Sequence, residues 1–285
     1  MKRITVLLMA LGVVAAVVGV PAASAAPTAS GVQLNGALRV AYPVANADPG
    51  QNYGDLYLPR RGLTGPAPLV VLYHGGGWDR SVSLAGLGSM ARDLAARGYA
   101  VYNVEYRRVG SGGGWPTTLT DVSAAATFAT SLGNIFPQVG RSVILVGHSS
   151  GGQLAVWAAQ HAAVRPAASV AIAAPLALTT AAHSGDANVD ALLGGSPAQF
   201  PQRYAMADPA AQACPAVPIV AIHGTADRVV PITNARDFRA RPRCPSARVS
   251  LVEVPGATHL SLIRPGAVGY GQTLATISAT VAGVR

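Results

Sequence analysis

The sequence predicts an α/β protein, with a mostly parallel sheet covered by helices on both faces. Short apolar runs of strand character alternate with longer alanine-rich helical stretches, the order that calls for parallel strands joined by helical crossovers. Those runs are apolar nearly throughout, as expected of strands buried on both sheet faces. Of the 285 residues 50% are hydrophobic and only 12% charged, so the chain is too apolar for disorder. Its one long apolar run is Ile4 to Ala26, and the next, Ala167 to Leu178, is short and broken by Pro175, which excludes a helical membrane bundle.

The elements follow in chain order. Lys2 and Arg3, the apolar Ile4 to Val20, then Pro21 and the small residues Ala23-Ser24-Ala25 form the pattern of a secretory signal peptide spanning residues 1–25, cleaved after Ala25. An uncleaved anchor helix is the alternative, because the run nearly reaches spanning length. Residues 26–285 are then expected to form one secreted domain. Leu34 to Tyr42 and Gly54 to Pro59 read as an antiparallel pair at a sheet edge. Six buried-strand candidates follow at Pro68 to Tyr73, Tyr99 to Tyr106, Ser142 to Gly147, Ser169 to Ala174, Val217 to His223 and Val249 to Val254. Helices are expected near Leu84 to Ala96, Thr117 to Ser131, Gly152 to Ala163, Ile232 to Arg239 and Ala267 to Ala282. Residues 177–213, rich in glycine and proline with only fragments of periodicity, read as a short cap or loop excursion.

The formal charge is +9, falling to +7 once residues 1–25 are removed with Lys2, the chain's one lysine, and Arg3. The arginines are spread thinly, and no nucleic-acid-binding signature accompanies the densest group, Arg236, Arg239, Arg241, Arg243 and Arg248, which reads as a solvated face, with an anion-binding patch as the alternative. Cys214 and Cys244, alone in an exported chain, are expected to form a disulfide closing a loop of about 31 residues, with two free thiols as the alternative.

Gly147-His148-Ser149-Ser150-Gly151-Gly152 has the Gly-x-Ser-x-Gly spacing. It directly follows the strand run Val143 to Val146 and directly precedes the helix-forming Gln153 to Ala158, the strand, sharp turn and helix of a nucleophile elbow. Side chains at Gly147 or Gly151 would collide across the strained turn that lifts the Ser149 hydroxyl above the sheet's carboxyl edge, where a helix N-terminus favours negative charge. His74-Gly75-Gly76-Gly77-Trp78 follows a strand and leaves backbone N–H groups uncovered. Those of Gly75 or Gly76, with that of Ser150, are the candidate oxyanion donors, and His74 is read as orienting the loop.

A serine nucleophile needs a base, and chain order selects it: Ser, then Asp or Glu, then His. Asp227 stands in a loop just past the strand ending at His223, and His259, the one histidine after it, stands just past the strand Val249 to Val254. Neutral His259 takes the Ser149 proton, and Asp227 fixes its tautomer. Asp186, Asp190 and Asp208 fall in the excursion, Asp237 in a helix and Glu253 in a strand, each more simply a structural charge. No metal-ligand spacing, dinucleotide fingerprint or P-loop is present, so neither metal nor cofactor is expected.

Together His74-Gly-Gly-Gly-Trp78, Gly147-His-Ser149-Ser-Gly151-Gly152, His223-Gly-Thr-Ala-Asp227 with Val230-Pro231, and Thr258-His259 resemble the α/β-hydrolase superfamily, near its bacterial esterase/lipase and kynurenine-formamidase-like carboxylesterases. Tyr53 to Pro59, Glu105-Tyr106-Arg107 with Pro116 and Asp121, and Leu193 to Pro197 are lesser echoes. The resemblance implies an eight-stranded sheet and hydrolysis of acyl bonds by Ser149, Asp227 and His259. The first expectation is a secreted esterase acting on small-molecule carboxylic esters, with no nucleic-acid partner and no stable membrane insertion after signal cleavage. A serine amidase, peptidase or formamidase on the same triad is the second, and a non-catalytic binding module the remote third.

Overall fold

The computed structural model describes residues 33–284 apart from 35, 60–64, 164, 242–243 and 246–247; the expected signal segment lies outside the described residues. In chain order the elements are β1 (Gln33–Leu34), β2 (Ala37–Ala41), β3 (Tyr53–Tyr57), β4 (Ala67–Tyr73), α1 (Gly88–Ala96), β5 (Ala100–Val104), α2 (Thr117–Ala129), α3 (Leu132–Ile135) and β6 (Val139–His148). Then come α4 (Ser150–His161), β7 (Ala168–Ile172), α5 (Leu178–His183), α6 (Ala187–Leu193), α7 (Pro201–Ala207), β8 (Ile219–Gly224), α8 (Thr233–Arg239), β9 (Val249–Val254) and α9 (Tyr270–Ala282).

One sheet runs in the order β1-β2-β3-β5-β4-β6-β7-β8-β9. The contacts β1–β2, β2–β3 and β3–β5 are antiparallel, and every pairing from β5 to β9 is parallel. The eight strands read from the sequence are all present. A positive φ of 83° at Gly36 turns the chain and sets β1 apart from β2. Buried side chains alternate along β4: Leu69, Val71 and Tyr73 join a core with Leu119 and Val122 of α2 and Leu154 of α4. Val70 and Leu72 join the opposite core with Leu94 of α1 and Leu274 and Ile277 of α9. All seven residues of β4 are buried, which is why period-two polarity is missing from the strand runs.

Residues 177–213 hold three short helices, α5 to α7, in place of an irregular loop. Several expected boundaries also move by a few residues, two of them at a residue of positive φ. Gly269, with φ 88°, delays α9 to Tyr270, and Ala173, with φ 50°, follows the last residue of β7. The chain winds outward from β4 to β5 and then crosses to β6 to wind the other way. The crevice between the carboxyl ends of β4 and β6 is therefore the switch point at which ligands bind in open α/β sheets.

Candidate active site

Ser149 sits between β6 and α4 with φ 55° and ψ −128°, in the left-handed half of backbone space where a side chain is strained. The strain is held by close packing. A Cβ on Gly147 would collide with the Gly151 carbonyl, and one on Gly151 with the carbonyls of Tyr73 and His74. The Ser149 N–H donates to the Ile172 carbonyl at 2.8 Å, which pins the turn to β7.

His259, in the loop after β9, approaches from the other side. Its Nε2 lies 3.0 Å from Ser149 Oγ and its Nδ1 2.8 Å from Asp227 Oδ2. An ionised carboxylate only accepts, so Nδ1–H donates to Asp227 and Nε2 is left to accept from the serine hydroxyl. Asp227 follows β8, and its Oδ1 accepts from the Val229 and Val230 N–H groups at 2.8 and 3.0 Å. Burial alone would push this carboxyl up. Hydrogen bonds from His223 and His259, with the charge of His259, outweigh it and hold the pKa well below the ordinary aspartate value. The second donor, His223, is a buried side chain whose Nε2 lies 3.3 Å from Asp227 Oδ2 and 2.8 Å from the Val230 carbonyl.

The loop after β4 closes the third side. Gly76 and Gly77 take φ of 112° and 63°, and Trp78 takes 58°. Among the described residues no protein group accepts from the Gly75 or Gly76 N–H. That of Ser150, at the first position of α4, has no acceptor one turn earlier in the helix. A Cβ on Gly75 would stand 2.9 Å from that of Ser149 and 2.8 Å from the His148 carbonyl, so only glycine lets the loop come so close. Trp78 anchors the loop to α4: its Nε1–H donates to Gln153 at 3.1 Å, and its N–H to Ser150 Oγ at 3.3 Å. His74 has the orienting position read from the sequence. It is stacked on Tyr106 at 4.4 Å, with Nε2 2.9 Å from Glu105 and Nδ1 2.8 Å from the Gly75 carbonyl. Burial alone would raise the Glu105 pKa, but the His74 contact, the Leu84 N–H and the Arg108 charge hold it below the usual value.

Sequence reasoning overlooked His148. Its Nε2–H donates to the backbone carbonyl of His259 at 2.9 Å, and the two rings lie 4.7 Å apart. A tie thus runs from the residue before Ser149 to the main chain of His259. Burial, then the neighbouring His259 charge, pushes the His148 pKa down to about 3, so the ring stays a neutral donor.

Four of the five rival carboxylates are occupied elsewhere, and Asp237 is exposed on α8. Asp186 caps α6, Asp190 accepts from Tyr204, Asp208 accepts from Thr179 and Glu253 pairs with Arg236. Of the basic stretch, Arg236, Arg239 and Arg248 are exposed, as a solvated face requires, and Arg241 is half-buried. Arg241 lies over Phe238 and donates to the Pro209 carbonyl, Arg248 donates to the Ala216 carbonyl, and Arg243 lies outside the described residues. Cys214 and Cys244 are joined in a disulfide with Cα atoms 5.1 Å apart. Among the described residues no group of three or more histidine, cysteine, aspartate or glutamate side chains gathers as a metal set, and no helix is long and apolar enough to cross a membrane.

Two clefts of about 450 and 460 Å³ meet at Ser149 and share Gly77, Asn188 and Val229 as walls. The first lies between the excursion and the segment Val229 to Asn234. The second lies between the glycine loop and the loop carrying His259, lined by Val82, Leu87, Leu260 and Ile263 with Arg264.

The BD-FAE family model matches residues 55–241. The chain is 28% identical over 233 residues to esterase LipC of Mycobacterium tuberculosis (strain ATCC 25618 / H37Rv), covering 69% of this chain and 53% of LipC, so it spans about half the length of the curated relative it matches. A truncated form of a carbohydrate esterase from gut microbiota has TM-score 0.69 at 19% identity, covering 86% of this chain and 96% of that one. Apo Thermogutta terrifontis esterase 2 has TM-score 0.70 at 21% identity, covering 89% and 96%. At these identities the structural likeness establishes the α/β-hydrolase fold.

Proposed function

The chain belongs to the BD-FAE family, and we propose that it is a secreted serine hydrolase of small-molecule carboxylic esters. The observation that carries the reading is the hydrogen-bonded chain from Asp227 through His259 to Ser149 Oγ, opening where two clefts meet. Ser149 Oγ attacks the ester carbonyl carbon as His259 Nε2 takes its proton, and the carbonyl electron pair moves onto oxygen. The N–H groups of Gly75 or Gly76 and of Ser150 hold that oxyanion in place. As the tetrahedral centre collapses, the bond to the alcohol oxygen breaks and His259 returns the proton to it. Water then gives a proton to the same nitrogen, attacks the acyl carbon and expels the Ser149 oxygen, which is reprotonated as the acid leaves. Asp227, kept ionised, stabilises the imidazolium in both halves.

The relatives' names support the ester as the bond cleaved: LipC and the T. terrifontis enzyme are called esterases. In this reading residues 1–25 are removed on export and residues 26–285 act as one catalytic domain.

A panel of aryl esters, aryl amides and N-formyl amines tests the reading, run with wild type and Ser149→Ala. Aryl esters should be the substrates turned over, and Ser149→Ala should lower kcat by about 10⁴ while the melting curve is kept. Hydrolysis of amides or formyl amines in preference to esters would replace ester cleavage by the amidase reading. Ester turnover that survives in Ser149→Ala would remove Ser149 as nucleophile.

A further inference from the structure

Resting on the esterase reading above, we propose that the first cleft receives the acid portion of the ester and that Asn234 at its wall selects acyl chains carrying an oxygen acceptor, such as an ether, ketone or hydroxyl. The assignment of the two sides follows from the proton path. The leaving oxygen must come within hydrogen-bond reach of His259 Nε2, and of the two clefts only the second is lined by His259. The alcohol therefore departs through the second, apolar cleft. With the attacking oxygen, the oxyanion and the leaving group fixed, the remaining substituent of the tetrahedral carbon points into the first cleft.

That cleft joins apolar walls, among them Trp78, Pro175 and Val230, to polar groups that a plain alkyl chain leaves unused. Thr180, Ser184, Asp186 and Thr233 give it a polar rim. Deeper in stands Asn234, 9% exposed, at the second position of α8. Its Oδ1 accepts from the Ala177 N–H at 2.9 Å. An N–H can donate only to the amide oxygen, so the orientation of the side chain is fixed and Nδ2 is left over with two hydrogens. Among the described residues no protein group accepts from Nδ2, and the atom is not one of those sealed in the interior without a partner. It is thus a pre-oriented donor open to the cleft that Asn234 lines.

Solvent serves such a donor in the free enzyme. A methylene chain that displaces the water gives nothing back, whereas an acyl oxygen at that point replaces the bond. A site with a committed donor discriminates against the analogue that lacks the acceptor more strongly than against a change of one methylene.

The experiment compares para-nitrophenyl pentanoate with two isosteres, one carrying an ether oxygen in place of a chain methylene and one a chain ketone. Each kcat/KM is divided by the ester's rate with hydroxide, to remove intrinsic lability. Wild type should favour at least one oxygenated ester by about tenfold or more. Asn234→Asp keeps an acceptor for the Ala177 N–H and removes the donors, and should bring that ratio close to one. Asn234→Ala, which also loosens the Ala177 contact, should do the same. Equal ratios in wild type, which need no variant, would overturn the inference, as would a preference that survives Asn234→Asp and Asn234→Ala. Turnover of all three esters without discrimination removes this inference alone. Absence of Ser149-dependent turnover of any of them removes the esterase reading and this inference with it.

Discussion

Ser149 and His148 are neighbours in sequence, yet only the first announces itself there. Ser149 stands in a pattern whose glycines have a steric reason, and an added Cβ at Gly147 or Gly151 does collide with backbone. His148 acts through a donation to the carbonyl of His259, 111 residues away, and a backbone carbonyl leaves no mark on residue type. Asn234 was hidden for the same reason, since its partner is the Ala177 N–H. His223 had a visible signal in its four-residue spacing to Asp227, but spacing alone does not say that both side chains turn to one point. The buried neutral His148 has a consequence for acid stability. Its folded pKa of about 3 lies below the unfolded histidine value of about 6.5, so between these the unfolded chain binds a proton that the native chain does not. Stability is therefore lost as pH falls through that window, by up to about 1.4 kcal/mol per pH unit from this residue. His148→Gln keeps an N–H donor and removes the titration. Urea unfolding at several pH values from about 6.5 to 5.5, above the reference carboxylate values of about 3.9 and 4.3, should show a shallower loss in the variant, and parallel slopes would refute the assignment.

At the scale of elements, what was legible was what is long or fully buried. β4 and β6 are apolar runs ended by glycine loops, and α2, α4 and α9 are stretches of 12 or 13 residues. α5, α6 and α7 have six or seven residues each, too few turns for a periodic signal, and they form against the rest of the chain. Gln153 of α4 fixes one of them by donating to the Ala207 carbonyl at 3.0 Å. The Cys214–Cys244 bridge encloses β8, the Asp227 loop and α8, and so braces the element that presents the carboxylate. By loop entropy it contributes roughly 3 to 4 kcal/mol to stability. Reduction, or Cys244→Ser, should lower Tm by several degrees, at roughly 2 to 4 °C per kcal/mol for a chain of this size. The kcat of the molecules still folded should change little, because β8 is also held between β7 and β9. An unchanged Tm would show that the bridge carries no stability, and a collapse of kcat at unchanged Tm would show that it aims Asp227.

For the whole molecule, the parallel order was readable because each strand carries its own covered faces in its composition, while the sequence of strands across the sheet is a matter of crossovers. That order brings Ser149, Asp227 and His259 together, since β6, β8 and β9 point the same way and the loops after them leave the same carboxyl edge of the sheet. The small residues Ala23-Ser24-Ala25 after Pro21 mark where a signal peptidase would cut. Produced with its own N-terminus in a secreting bacterial host, the protein should accumulate in the exported fraction with Ala26 as its first residue. Its intact mass should be that of residues 26–285 less two hydrogens, because the bridge between Cys214 and Cys244 forms in an oxidising compartment. After denaturation without reductant it should bind no thiol reagent. A full-length chain held in the membrane fraction would show that Ile4 to Ala26 serves as an anchor, its length being close to the about 20 apolar residues a span requires. A cleaved chain with two titratable thiols would leave export standing and remove the disulfide from the secreted form.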